Sequence, residues 1–184
     1  VPLSHRYLGA PKQLAEKEVV RALGGLLGDP TVVVAGHELK YSLIALALRG
    51  APMNAVMFDA MIAAYLLDPE APHRPADLAE REFGMKLDAF ADAPKAKGKG
   101  PELTFEEIEV ERAMGYAAPL AEVMLKLYPR LSTSLDNERL GPLFRDVEMP
   151  LVKVLAAVEM AGVLVDVKKL EEVSVRVDRD LRDL

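Results

Sequence analysis

Apolar positions along the chain change their period twice. From Pro11 onward, Val19, Val20, Leu23, Leu26 and Leu27 recur at helical spacing, and Gly28-Asp29-Pro30 ends the segment. Residues 31–35 (TVVVA) are a continuous β-branched run, the pattern of a strand buried on both faces. Leu39, Leu43 and Leu46 mark a second helix closed by Gly50. Residues 55–58 read as a short strand. Asp59 stands where that strand gives way to a helix over 60–67, which Asp68-Pro69 stops. The first third therefore alternates helix and strand, and this predicts an α/β sheet with helices on its faces.

The remainder reads as helix. Residues 75–84 form a short one, and 95–101 (KAKGKGP) a loop. Thr104-Phe105-Glu106-Glu107 has the form of a capping box, so a helix is expected to start there and run through Ile108, Met114 and Tyr116. Pro119 predicts a kink or a fresh helix start, because an interior proline loses a donor and clashes with the preceding turn. Residues 131–137 (LSTSLDN) read as a polar linker. Pro150 opens a helix carrying Leu151, Val154, Leu155 and Val158, and Gly162 stops it. Residues 163–165 read as a strand. Asp166 caps a last helix with the stripe Leu170, Val173, Val177, Leu181 and Leu184. That pattern still holds at the final residue, and the first residue is not Met; both ends are expected to continue in a longer protein.

Composition narrows the chemistry. Cysteine is absent, which removes disulfides, thiolate nucleophiles and Cys-zinc sites together. None of the histidines, His5, His37 and His73, is paired at the spacing of a helical zinc site. No apolar run approaches the ~20 residues of a membrane span. The formal net charge of −6 argues against a surface built to grip duplex DNA. Lys95, Lys97 and Lys99, clustered in one loop, are the exception; Lys97 and Lys99 are the candidate phosphate contacts, weighed against a merely solvated loop.

Four stretches, in order, resemble family A DNA polymerases. Residues 1–11 (VPLSHRYLGAP) look like the third strand of the 3′–5′ exonuclease domain and the turn after it. Residues 58–67 (FDAMIAAYLL) with 77–81 (DLAER) look like its middle. Residues 97–118 (KGKGPELTFEEIEVERAMGYAA) look like the loop and helix before its last active-site motif. Residues 144–166 (FRDVEMPLVKVLAAVEMAGVLVD) look like the start of the polymerase domain.

The resemblance implies an RNase H-like (DnaQ-like) fold without its first strands over residues 1–137, and the opening of a polymerase domain over 143–184. It implies cytoplasmic work in DNA replication and repair, with DNA and the polymerase domain as partners and no membrane. Active relatives use four carboxylates to hold two Mg²⁺ ions about 4 Å apart, which clamp the attacking and leaving oxygens. Their pattern is a DxE pair, an Asp after Asn-x-x-Tyr, and an Asp four residues after a Tyr. Here the DxE pair has no counterpart. The second motif reads Glu38-Leu39-Lys40-Tyr41-Ser42, with Ser42 at the Asp position. The third reads Tyr116-Ala117-Ala118-Pro119-Leu120, with Leu120 at the Asp position. A hydroxyl is a poor ligand for a hard divalent cation, and an aliphatic side chain is none. The expected site is thus degenerate, with no catalytic residue and no metal or other cofactor; Tyr41 and Tyr116 are retained motif residues turned to packing.

Other readings bear on the same residues. Glu38, Asp59, Asp68 and Glu122 could form a substitute carboxylate set for an active exonuclease, against the plainer roles of helix cap for Asp59 and stop signal for Asp68. A non-catalytic nucleic-acid-binding or interaction module is the other alternative. Met53, Met57, Met61, Met114 and Met124 read as packing residues. Loss of the first strands is expected to expose sheet edges and leave the isolated chain prone to associate.

Overall fold

A computed structural model describes residues 1–51, 54–87 and 103–183. Helix α1, Glu16–Leu27, precedes strand β1, Val33–Gly36. Helix α2, Leu39–Ala47, then crosses to strand β2, Val56–Asp59, which lies parallel to β1. Val33 pairs with Val56 and Gly36 with Asp59. A parallel pair requires such a crossover, so β1, α2 and β2 form a βαβ unit. A Cβ at Gly36 would lie 2.5 Å from Cδ2 of Leu39, so that buried side chain, the first residue of α2, would have to shift to admit one. Helix α3, Ala60–Leu67, follows β2 directly, and α4, Pro75–Phe83, is closed by Gly84.

The long helix α5, Val110–Asn137, packs on α3 and against β1. After it come α6, Gly141–Leu143, a π-helical turn at Phe144–Glu148, and α7, Met149–Ala161, which lies along α2. Pro150 sits in the first turn of α7, just past the wide π turn. A proline ring clashes with the carbonyl four residues back, and a widened turn relieves that. Helix α8, Val167–Arg182, begins at Asp166, whose carboxylate accepts from the Lys169 N–H at 3.1 Å.

The main apolar cluster lies between the strands and α3, α5 and α7. Phe58 of β2 meets the rings of Tyr128 on α5 and Phe144 in the π turn, each with centroids 5.0 Å away. Ala60, Ala63 and Ala64 on α3 and Val123, Leu127, Leu131 and Leu135 on α5 are buried around them. A smaller cluster centres on Ile108 and Ala113, with Leu103, Phe105 and Tyr116 packed against it. The architecture is α/β, mostly helical with a small parallel sheet, and fits the expected RNase H-like class.

Several local expectations are corrected. Residues 131–137 are not a linker but the last turns of α5, because Leu131 and Leu135 continue its buried stripe. Of the kink or fresh start expected at Pro119, the fresh start does not occur: α5 runs on through both Pro119 and Pro129. Thr104 does engage Glu107, its N–H and Oγ both donating to Oε2 at 2.9 Å, but this box closes an isolated turn and the helix begins at Val110. No strand forms at 163–165, whose side chains are exposed, nor at residues 1–8. With a single neighbour among the described residues, β1 is only partly covered, and Val33 is exposed. The stripe of α8 covers nothing: no residue of that helix is buried.

Candidate functional site

The C-terminal ends of the two parallel strands bring two helix starts together at one carboxylate. Asp59 is 1% exposed. Its Oδ2 accepts from the Leu39 N–H at 2.7 Å, at the start of α2. Its Oδ1 accepts from Met61 N–H at 3.0 Å in the first turn of α3, with longer contacts to Glu38 N–H at 3.3 Å and Ile62 N–H at 3.5 Å. The first turn of a helix leaves N–H groups without intrahelical partners and carries partial positive charge. One buried side chain therefore serves two helices. The cap on α3 was legible in the sequence; the hold on α2, twenty residues upstream, was not, because it depends on strand register.

Glu38, at the N-cap of α2, has φ 52° and ψ 49°, a left-handed conformation uncommon for a side chain with a Cβ. Its own carboxylate is largely exposed, 3.9 Å from His37 Nδ1. Tyr41 is 78% exposed, so the expected packing role is wrong there: it sits on the outer face of α2 beside a cleft. Ser42 is half-buried on the same helix. Leu120 is half-buried on α5 and packs against the main apolar cluster, as do Leu43 and Leu46, which follow Ser42 in α2. Tyr116 packs against Ile108 and Ala113, its ring 6.4 Å from Phe105. Burial pushes its phenol above the ordinary value, because the phenolate would lose water.

The substitute carboxylates are dispersed. Glu122 pairs with Lys126 at 2.6 Å on the exposed side of α5. Asp68 ends α3 and accepts from the Glu70 N–H at 3.2 Å. Asp59 is committed to backbone donors. Among the described residues no three His, Asp or Glu side chains come together as a metal-binding group. A serine, a leucine and a carboxylate already holding two helix starts do not fit a two-metal site that needs several free carboxylate oxygens. Lys97 and Lys99 lie outside the described residues, as does Met53. Met57 and Met124 are buried as expected, but Met114 is exposed.

The sequence profile of a DNA polymerase A family, described as 3′–5′ exonuclease, matches residues 4–136. The chain belongs to this exonuclease family. DNA polymerase I of Pseudomonas aeruginosa is 38% identical to it, over 100% of this chain and 21% of the relative. DNA polymerase I of Chloroflexus aurantiacus is 31% identical, over 100% of the chain and 19% of the relative. The chain spans about a fifth of the length of these relatives. A structure of the POL domain of Pol1 from M. smegmatis, in complex with DNA primer-template and dNTP, superposes with a TM-score of 0.70 at 26% identity, covering 93% of this chain and 26% of that one. The 3′–5′ exonuclease family thus extends over α1 to α5, and the relatives extend the kinship through α7 and α8. No described helix is long and apolar enough to cross a membrane.

Proposed function

We propose that this chain works within a cytoplasmic DNA polymerase I of DNA replication and repair, where residues 1–137 form an exonuclease-like domain that no longer hydrolyses DNA and residues 143–184 open the polymerase domain. The observation that carries the loss of hydrolysis is Leu120. At the position of the third motif's Asp it presents an aliphatic side chain to the apolar cluster. Ser42, at the second motif's Asp, offers a neutral hydroxyl. Two-metal hydrolysis stabilises charge on both the attacking and leaving oxygens, and it fails when the ions have no anionic ligands. The retained fold then serves as a scaffold. Contact with the rest of a polymerase is supported by α8, whose stripe of Leu170, Val173, Val177 and Leu181 is exposed. DNA would be engaged through the parent polymerase, in keeping with the net charge of −6.

The test is calorimetric titration with Mg²⁺ and Mn²⁺ together with a 3′-end degradation assay on single-stranded DNA. The expected result is neither binding nor degradation. Two-site binding with metal-dependent degradation would show that Glu38, Asp59 or Glu122 has taken over ligand duty, and would overturn the reading. Salt-sensitive binding of single strands without degradation would instead mark a nucleic-acid-binding module.

A further inference from the structure

We infer that α7, although it lies beyond the stretch matched by the exonuclease family, is a wall of the exonuclease-like domain, so that the domain and the helix leaving it open and move as one body. This goes beyond the loss of hydrolysis and does not depend on it. Two independent observations carry it.

The first is packing. Met149 and Val152 of α7 are buried in the same cluster as Phe58, Ala60 and Ala63, and α7 touches both α2 and β2. At the rim, Lys40 Nζ of α2 donates to Glu159 Oε1 of α7 at 2.5 Å, across 119 positions of sequence. Between these contacts lies a cleft of about 410 Å³ whose floor includes Asp59 and Ile62 and whose far wall is Val152 and Leu155. One wall of the space beside the double cap is therefore built by a helix outside the family match.

The second is the junction. A hinge between α5 and α7 would need a loose connection, and the connection is tight. Arg139 turns in the left-handed region at φ 60°, and the Leu140 N–H donates to the Leu135 carbonyl at 2.8 Å. Such a closure satisfies the last carbonyls of a helix and fixes the direction of the exit. Arg145 then reaches back to Asp136 Oδ1 at 3.0 Å. Gly141 lies beneath that pair, where a Cβ would come within 2.3 Å of the same Asp136 oxygen. Chain direction is set by hydrogen bonds on both sides of the junction.

Hydrogen exchange read by mass spectrometry on the full chain in dilute urea tests the inference, because amides of one cooperative unit open with a common free energy. Peptides from β2, α3 and α7 are expected to converge on one urea dependence. In Val152→Ala, exchange in β2 and α3 is expected to rise at least ~10-fold together with that in α7. In Val154→Ala, on the exposed side of the same helix, it is expected to stay unchanged. A Val152→Ala chain that unfolds throughout while Val154→Ala does not counts for one body. Earlier opening of α7 alone in the unmodified chain, or a Val152→Ala effect confined to α7, would overturn the inference.

Discussion

Asp59 shows how much of a fold can rest on one residue. Replacing it with Ala leaves the N–H groups of Leu39 and Met61 without their acceptor, at two helix starts at once. Each buried donor left unmet costs about 1–3 kcal/mol. Asp59→Ala is therefore expected to lower unfolding free energy by about 2–6 kcal/mol, read by urea denaturation followed by circular dichroism. Asp59→Asn keeps one acceptor oxygen and is expected to fall between. An effect below ~1 kcal/mol in Asp59→Ala would mean the double cap does not hold. Tyr116 gives a second residue-scale prediction. Its phenol titrates above the usual value of about 10 because burial disfavours the phenolate. Folding then favours the protonated form. This contribution is present in full below pH ~10 and is lost as the pH rises through the higher folded value. An ultraviolet titration of the folded chain is expected to show a late-ionising tyrosine that Tyr116→Phe removes. Persistence of the late step in the variant would assign it elsewhere.

Elements separate what could be read in advance from what could not. The βαβ unit was legible because both strands are short apolar runs, the first rich in valine, bounded by glycine, proline and aspartate. The end of α5 was not: Ser132, Thr133, Ser134, Asp136 and Asn137 give residues 131–137 the composition of a linker. Yet Thr133 and Ser134 turn their hydroxyls onto the carbonyls four residues back, at 2.9 and 3.2 Å, and so stay within the helix. Leu131 and Leu135, one turn apart, hold that helix to the cluster. Composition outweighed period in the sequence reading, and packing reversed the order. At the site, motif spacing supplies the proposal that Ser42 and Leu120 stand at carboxylate positions, whereas the exposure of Tyr41 was not legible, since it depends on which face of α2 the strands and α7 cover. The consequence can be measured. Leu135→Ala is expected to cost about 2–5 kcal/mol, the range for a buried leucine, where a linker residue would change stability by less than ~0.5 kcal/mol. Urea unfolding distinguishes the two.

Across the whole molecule, apolar surface is unevenly covered. The strands, α3, α5 and the inner side of α7 close around one cluster, while α8 carries Leu170 and Leu181 at 58% and 65% exposure. Apolar stripes of this extent mark a contact face or an association hazard. The isolated 184-residue chain is expected to self-associate in the micromolar range, seen by sedimentation velocity, and Val173→Glu with Val177→Glu to suppress it. A monodisperse monomer at all concentrations would contradict this. The π-helical turn at Phe144–Glu148 constrains the same molecule in another way. Each residue of an α-helix advances the chain by about 100°. The wide turn takes up one residue more than an α turn does, so deleting one residue there would restore ordinary helix geometry, keep Val152 and Ala156 on the core-facing side and bring Pro150 back into an ordinary turn, whereas an insertion that no further widening absorbs would rotate everything downstream by that angle. This stretch therefore stands one residue longer than a plain helix needs, and a further single-residue insertion within it amounts to a change of fold register.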